Sequence, residues 1–303
     1  MTSLNTPPVS TGTAAGKHKR SLTIALALTT TFMALEIIGG LVTGSLALLA
    51  DAAHMMTDAG GMVLALLAIR FAERPATPQK TYGYVRMEVL SALTNAVVLL
   101  LLTVYIFYEA YRRFANPSEV LGGPMLVVAV AGLIVNLICM KLLSSGSKES
   151  LNVKGAYFEV LGDMLGSLGV IVAAVVVMLT GWQLADPLIG AGIGLLILPR
   201  TWILLKQAIH ILMEGTPPEI DMASLEKGLL GVAGVRAVHD LHVWTITSGV
   251  DSMSCHLTVS DDTKAKDALL DAQALMNSEF GISHTTIQID DSEIQNKEGR
   301  RNY

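Results

Sequence analysis

Long apolar stretches fill the first two-thirds of the chain, each close to the length of about 20 residues that crosses a bilayer as a helix. Six of them follow one another: Ser21–Val42, Ser45–Phe71, Glu88–Tyr111, Pro124–Leu143, Leu151–Thr180 and Leu184–Leu212. The connection between the first two is too short for anything but a tight reversal, so these two spans form a hairpin. The pattern therefore predicts an all-α transmembrane domain of six helices.

The pattern changes after Gly215, where Thr216-Pro217-Pro218 ends the helical stretch. The periodicity then predicts a helix at Met222–Gly231, strands at Val235–Thr245 and Val250–Val259, a helix at Lys264–Glu279 and a strand at His284–Ile289. This αββαβ order predicts a small α+β domain in which two helices cover one sheet. A domain of about 85 residues is at the small end for independent stability, which favours association with a second copy.

We expect four parts: a disordered tail at 1–19, the transmembrane domain at 20–212, a soluble domain at 213–291 and a tail at 292–303. The first tail lacks the apolar core of a signal peptide. Composition agrees with a membrane location, because 51% hydrophobic residues and a mean hydropathy of +0.52 are too apolar for a soluble protein of 303 residues. The net charge of −5 and the lack of a basic patch with aromatic residues argue against a nucleic-acid partner.

Positive charge is distributed unevenly between the two ends of the predicted spans. The side that holds the N-terminus carries twelve Lys and Arg residues, whereas the other side carries only Arg112 and Arg113. The positive-inside rule then predicts that both termini are cytoplasmic, in a bacterial inner membrane. Arg112 and Arg113 depart from the rule, and we expect them to extend from a helix end to the membrane surface.

Two of the predicted spans each carry a closely spaced pair of ionisable residues, and such residues cost about 2.5–3.5 kcal/mol each at the centre of a bilayer. His54 and Asp58 lie four residues apart in the second span, and Glu159 and Asp163 lie four residues apart in the fifth. A helix places positions i and i+4 on one face, so each span offers two donors side by side. Together they provide one imidazole and three carboxylates, which matches tetrahedral coordination of Zn²⁺.

Any one of these residues alone is explained as well by a hydrogen bond between helices. Two matched pairs in different spans favour a metal site, and we expect no Lys or Arg within the spans to neutralise them. Asp51 is expected either to accept a hydrogen bond from His54 or to be an ordinary polar position near a helix end. The other polar residues of the spans fit a water-lined path or hydrogen bonds between helices, and these are Glu36, Asn95, Glu109 and Asn136.

Four of the seven histidines lie in the last third of the chain. His239, His256 and His284 lie on or beside predicted strands, and we expect them to converge with Asp290 on a second metal site. A structural role for each histidine is the alternative. His239 and His242 are separated by an odd number of residues, so on a regular strand they point to opposite faces and do not form a ligand pair.

Several segments resemble the cation diffusion facilitator family, and they cover the chain from about Arg20 to Ile289. They are SLALLADAAHMMTD at 45–58, YGYVRME at 82–88, HDLHVW at 239–244 and HTTIQ at 284–288. The resemblance implies six transmembrane helices, a cytoplasmic ferredoxin-like metal-binding domain, a homodimer and exchange of metal for protons. The transport site that it implies is His54, Asp58 and Asp163, with the remaining ligand at Glu159.

Many zinc-transporting members of that family have His where this chain has Glu159. The pattern resembles the bacterial cobalt/zinc/cadmium-resistance branch, where Glu also occurs. The resemblance implies efflux of Zn²⁺, and of Cd²⁺ or Co²⁺, from the cytoplasm, with the metal as transported substrate and as regulator of the cytoplasmic domain. No enzyme cofactor is expected.

Two other functions compete with transport. An intramembrane metal-dependent hydrolase needs an open metal position and a separate general base, and the chain has no HExxH motif to supply them. A metal sensor would use the soluble histidines but would not require two charged pairs in lipid.

Overall fold

The computed structural model describes residues 19–72, 74–145, 147, 151–247, 249–260 and 264–290. Six long helices come first: α1 (Lys19–Thr43), α2 (Leu46–Ala72), α3 (Met87–Ala115), α4 (Gly122–Ser144), α5 (Leu151–Thr180) and α6 (Ala185–Leu212). They are followed by α7 (Met222–Leu230), β1 (Val235–Thr247), β2 (Val250–Val259), α8 (Ala265–Phe280) and β3 (His284–Asp290). The predicted fold class, a helical transmembrane region followed by a small αββαβ domain, is confirmed. Apart from Lys19, the predicted tails at 1–19 and 292–303 lie outside the described residues.

Five of the described helices are long and apolar enough to cross a membrane: Thr23–Thr43, Met87–Ala115, Gly122–Ser144, Ala156–Thr180 and Ala185–Leu212. α2 is just as long, with 27 residues, but Asp51, His54 and Asp58 make it less apolar. We count it as the sixth helix of the bundle. Large side chains such as Leu179 and Leu196, each 79% exposed, lie on the outside of these helices, as expected of residues that contact lipid.

Spatial contacts divide the chain into two units, one of residues 1–63 and 95–203 and the other of residues 64–94 and 204–303. In the first unit, α4 packs against both α5 and α1. Leu46 and Leu48 of α2 belong to the same buried cluster as Val170 and Ala174 of α5. This shared core holds together the two helices that carry the predicted ligand pairs.

The N-terminus of α2 is capped by a carboxylate from another helix. Asp186, at the start of α6 and fully buried, accepts hydrogen bonds from Ser45 Oγ at 2.6 Å, Leu46 N at 2.7 Å and Ala47 N at 3.2 Å. The first N–H groups of a helix have no partner within the helix and carry partial positive charge. Asp186 therefore satisfies the end of α2 both by hydrogen bonding and by charge.

Arg113 explains one of the two exceptions to the positive-inside rule. Its Nη1 donates to Gly44 O at 2.5 Å and to Asp186 Oδ2 at 3.4 Å, and its Nε donates to Glu109 Oε1 at 3.1 Å. The side chain is only 13% exposed, so it does not extend to the membrane surface as expected. Instead, Arg113 links the end of α3 to the junction between α1 and α2, and to Asp186 of α6.

The second unit includes residues 213–290, called the soluble unit below. It contains a three-stranded sheet in which β2 lies in the middle, antiparallel to β1 and parallel to β3. α7 and α8 cover the sheet over a core of Leu225, Leu229, Met253, Leu257 and Met276. Asp221 caps α7 by accepting from Oγ and N of Ser224, and these hydrogen bonds lower the pKa of its carboxyl group. Gly281 ends α8 in the left-handed conformation, with φ of 69°.

The cap on α2 predicts a large effect of Asp186→Ala on stability. We expect the free energy of unfolding to fall by about 3 kcal/mol, because the change leaves buried N–H groups without acceptors and removes one carboxylate that contacts Arg113. The measurement is the apparent melting temperature of the detergent-purified protein. Ser45→Ala is the matched control and should lower the free energy of unfolding by only about 1 kcal/mol. Equal melting temperatures for the two variants would contradict the cap.

Candidate metal site

The two predicted ligand pairs of the membrane region face each other across α2 and α5. His54 Nε2 lies 3.4 Å from Asp58 Oδ2, as the i,i+4 spacing predicts. Glu159 of α5 lies close enough to Asp58 for the two carboxyl groups to act on each other. The structure therefore brings an imidazole and carboxylates from two different helices into one region of the first unit.

Asp163 lies deeper than the other three residues. It is 6% exposed, whereas the side chains of His54, Asp58 and Glu159 are 18%, 24% and 36% exposed. Asp163 Oδ1 and His54 Nδ1 are buried without a hydrogen-bond partner among the described residues. Buried donors and acceptors are normally satisfied, so these atoms are available to a cation that enters the site.

The four residues do not form a closed coordination shell. In the part of the chain that the structure describes, no three of their donor atoms lie within 4.8 Å of one another, whereas a group in the soluble unit does. Three carboxylates repel each other at short range, and a divalent cation is the species that would offset this repulsion.

An arginine lies beside the site, contrary to the expectation that no Lys or Arg within the spans would neutralise it. Arg200 of α6 places Nη2 at 3.9 Å from Glu159 Oε1. A separation of 3.9 Å is long for an ion pair, so the attraction is weak. Arg200 provides a positive charge at the more exposed end of the site, next to Glu159.

Asp51 does not hold the imidazole of His54. Asp51 Oδ2 and His54 Nδ1 are each buried without a partner, so no hydrogen bond joins them. Asp51 instead packs against Gly166 of α5, where an added Cβ would lie 2.7 Å from Oδ1. The glycine allows α2 and α5 to approach closely at this level. Asp51 is also a neighbour of the carboxyl group of Glu36 on α1.

The second group of ligand-type residues lies on the sheet of the soluble unit. The ligand atoms of His239, His256 and Asp290 lie within 4.8 Å of one another. Asp290 Oδ2 is 3.0 Å from His256 Nδ1 and 3.1 Å from His239 Nε2. The contact with His239 lacks hydrogen-bonding geometry, and both ring nitrogens of His239 remain without hydrogen-bond partners among the described residues. Two imidazoles and a fully buried carboxylate are donors that suit Zn²⁺.

Strand register explains which residues join this group. His239 pairs with His256 across β1 and β2, and Asp290 pairs with Thr258 at the end of β3. His284 begins β3, next to Ser252 and with its ring 5.7 Å from that of Tyr82. It therefore lies at the opposite end of the strand and does not converge with the other three residues.

The sequence pattern did not indicate that Asp240 lies beside this group. Its Oδ1 lies 3.0 Å from His242 Nε2, and its Oδ2 lies 3.8 Å from His256 Nε2. The register of β1 shifts between His239 and His242, and Asp240 has a positive φ of 50°, which marks a β-bulge. The regular alternation assumed for His239 and His242 therefore does not hold. Asp tolerates positive φ better than most residues, but this preference alone does not locate a bulge.

Cys255 is next to His256 in sequence but is not part of this group. Its side chain belongs to the buried core of the soluble unit. Burial raises the pKa of its thiol to about 12, and metal ligation needs the thiolate. At neutral pH the thiol stays protonated and acts as a core residue.

Comparison with known families identifies the class of protein. Residues 22–213 match the cation efflux transmembrane domain, and residues 217–292 match the cytoplasmic domain of cation efflux proteins. Together these matches cover most of the chain. The protein is a member of the cation efflux family, also called the cation diffusion facilitators.

Similar proteins within the family include metal transporters of several bacteria. The metal cation efflux system protein CzcD of Cupriavidus metallidurans is 49% identical over 91% of this chain and 87% of its own length. The cadmium, cobalt and zinc/H(+)-K(+) antiporter of Bacillus subtilis is 41% identical over 91% of this chain and 90% of its own length. A solved structure, the metal-bound C-terminal domain of the CzcD transporter, is 33% identical over 23% of this chain and 99% of that domain, with a TM-score of 0.23.

The contact between Asp51 and Gly166 gives a test of the close approach of α2 and α5. Gly166→Ala would place a Cβ against Asp51. The resulting overpacking should lower the free energy of unfolding by about 1–3 kcal/mol. Gly162→Ala, one turn earlier on α5, meets nothing within 4 Å and should be neutral or slightly stabilising. Melting temperature and zinc transport by the two variants provide the measurement. If Gly166→Ala behaved like Gly162→Ala, the close approach would be wrong.

Proposed function

We propose that this protein exports Zn²⁺ from the bacterial cytoplasm across the inner membrane in exchange for protons. The observation that carries the proposal is the pairing of His54 and Asp58 on α2 with Glu159 and Asp163 on α5, in a chain of the cation efflux family. The names of its relatives give transport of zinc, cadmium and cobalt. Cd²⁺ and Co²⁺ are therefore further substrates in the proposal.

The chemistry of the four side chains supports a transported cation rather than a permanently bound one. His54, Asp58 and Glu159 are partly exposed, so a cation can reach and leave them. Asp163 is buried and supplies an oxygen with no other partner. Arg200 lies beside Glu159, and its positive charge opposes a bound divalent cation. A cation that displaces Arg200 from Glu159 is held less tightly than in a site without the arginine.

Proton exchange follows from the protonation chemistry of these ligands. A neutral imidazole and ionised carboxylates bind metal, and their protonated forms do not. Metal and protons therefore compete for the same side chains. A helix bundle that exposes the site to each side in turn would carry metal outwards and protons inwards.

The proposal includes a homodimer with both termini in the cytoplasm. The excess of Lys and Arg on the side of the N-terminus supports this orientation. The soluble unit is small, which supports pairing with a second copy. We propose that metal bound by His239, His256 and Asp290 regulates transport by biasing the conformation of the chain. The protein itself is not an enzyme in this proposal.

The competing functions have less support. A hydrolase needs a general base beside a metal with an open position, and the α2 and α5 residues supply ligands without a separate base. A sensor would not require four ionisable residues in membrane helices. Both alternatives predict no net movement of metal across a sealed membrane.

Uptake of radioactive zinc into everted membrane vesicles tests the proposed function. An imposed pH gradient, acidic inside, should drive zinc accumulation, and collapsing the gradient should lower the initial rate about tenfold or more. Asp163→Ala should abolish uptake, because it deletes a buried ligand. Asp271→Ala, a surface change on α8, is the matched control and should transport normally. Uptake that ignores the pH gradient would contradict antiport, and normal uptake by Asp163→Ala would contradict the four-residue site.

The soluble metal group calls for a separate measurement. The double variant His239→Ala, His256→Ala should bind fewer Zn²⁺ ions per full-length chain in a titration with a fluorescent chelator. Its transport should weaken most at low zinc and recover at saturating zinc, because the group regulates rather than carries the metal. Complete loss of transport at saturating zinc, or an unchanged titration, would contradict this role.

A further inference from the structure

Two buried carboxyl groups of the membrane region are not among the proposed metal ligands, and most of their oxygen atoms have no hydrogen-bond partner among the described residues. Glu36 on α1 is fully buried, and Asp51 on α2 is 2% exposed. Both oxygens of Glu36 and Oδ2 of Asp51 have no hydrogen-bond partner among the described residues. Buried polar atoms without partners are rare in folded proteins and call for an explanation.

The two carboxyl groups are neighbours and act on each other. Ionised carboxylates only accept hydrogen bonds, so neither can satisfy the other while both are ionised. The charged groups that act on Glu36 in the described part of the chain are Asp51 from α2 and Asp163 from α5, and both are acidic. The neighbouring α4 contributes Asn136, which is neutral and bonds to Ser167 of α5.

Binding of a single proton would satisfy both carboxyl groups. One carboxyl group then donates its O–H to the other carboxylate, and the pair carries one negative charge instead of two. A proton shared between two acidic groups is the usual outcome when like charges are held close together in a poorly solvated site.

We propose that Glu36 and Asp51 form a proton-binding pair that carries a further counter-transported proton, at a place separate from the ligands for which metal and protons compete. This inference rests on the proposed metal/proton exchange. Glu36 and Asp51 supply only oxygen donors, and with Asp163 they do not reach the mutual 4.8 Å distance of a metal group. The pair therefore suits a proton better than a transition metal, which favours a site with imidazole.

Asp163 connects this pair to the metal site. It belongs to the four proposed metal ligands, and its carboxyl group also interacts electrostatically with both Glu36 and Asp51. A divalent cation at Asp163 and a proton on the pair repel each other through this interaction. Binding of one then favours release of the other, and by linkage the effect is equal in both directions. This is the coupling that exchange transport requires.

The test separates proton coupling from metal binding in reconstituted vesicles. Net zinc uptake driven by a pH gradient needs the proton to move, whereas exchange of radioactive for unlabelled zinc at equal pH does not. Glu36→Gln should lower gradient-driven uptake about tenfold or more, and zinc–zinc exchange should stay within about twofold of the parent. Asp51→Asn should behave in the same way. Glu36→Asp, which keeps a carboxyl group, should restore part of the gradient-driven uptake.

Controls distinguish this inference from the proposed function and from misfolding. Asp58→Asn removes a proposed metal ligand and should abolish both uptake and exchange. If the parent protein shows no gradient-driven uptake, antiport itself is wrong. If the parent is gradient-driven and Glu36→Gln is too, the proton pair is wrong. Loss of both activities by a monodisperse Glu36→Gln protein would also overturn the inference, because it would place Glu36 in the handling of metal.

A last arm of the experiment addresses potassium, which the name of the Bacillus subtilis relative includes. A K⁺ gradient at equal pH should give the same response in Glu36→Gln as in the parent. If K⁺-driven uptake is lost in Glu36→Gln while pH-driven uptake remains, the pair binds potassium instead of a proton. That result would overturn the proposal.

Discussion

The cost of placing ionisable groups in a membrane constrains the whole helical region. Each such group costs about 2.5–3.5 kcal/mol at mid-bilayer on insertion scales. Several of these groups offset the cost by lying beside a group of opposite charge or a hydrogen-bond partner. His54 lies beside Asp58, and Arg200 lies beside Glu159. Arg113 is placed between Glu109 and Asp186. Among the buried carboxyl groups of the described helices, Glu36, Asp51 and Asp163 form no ion pair with a cationic side chain, unlike Asp186, which is why we assign function to them.

The charged residues on the surface of the soluble unit do not bear this cost, because water solvates them. There a bulge in β1 and the pairing of β2 with β3 collect His239, His256 and Asp290 at one end of the sheet. The hydrophobic core of this unit includes the protonated thiol of Cys255. The two candidate metal sites of the chain therefore differ in character. One is spread across two helices and partly open, and the other is compact and closely spaced.

Much of this architecture could be predicted from periodicity. The six helices, the αββαβ order and the two i,i+4 pairs are local properties, and the structure places each helix and strand within a few residues of its predicted position. Arg200 and Asp186 could not be predicted in their roles, because these depend on which helix packs against which. His284 was wrongly grouped with Asp290, because strand register is set by pairing between distant segments. The bulge at Asp240 likewise left no clear pattern in the sequence.

The cap at the start of α2 has a mechanical consequence. With its first residues held by Asp186, α2 can tilt most easily about that end, and displacement then grows with distance along the helix. At 1.5 Å per residue, His54 lies about 12 Å from Leu46 and Asp58 about 18 Å. A tilt of about 10° would move the first by about 2 Å and the second by about 3 Å. Such unequal shifts change the distance of each ligand from α5 by a different amount, so a small rotation about a fixed pivot is enough to take a coordination site apart.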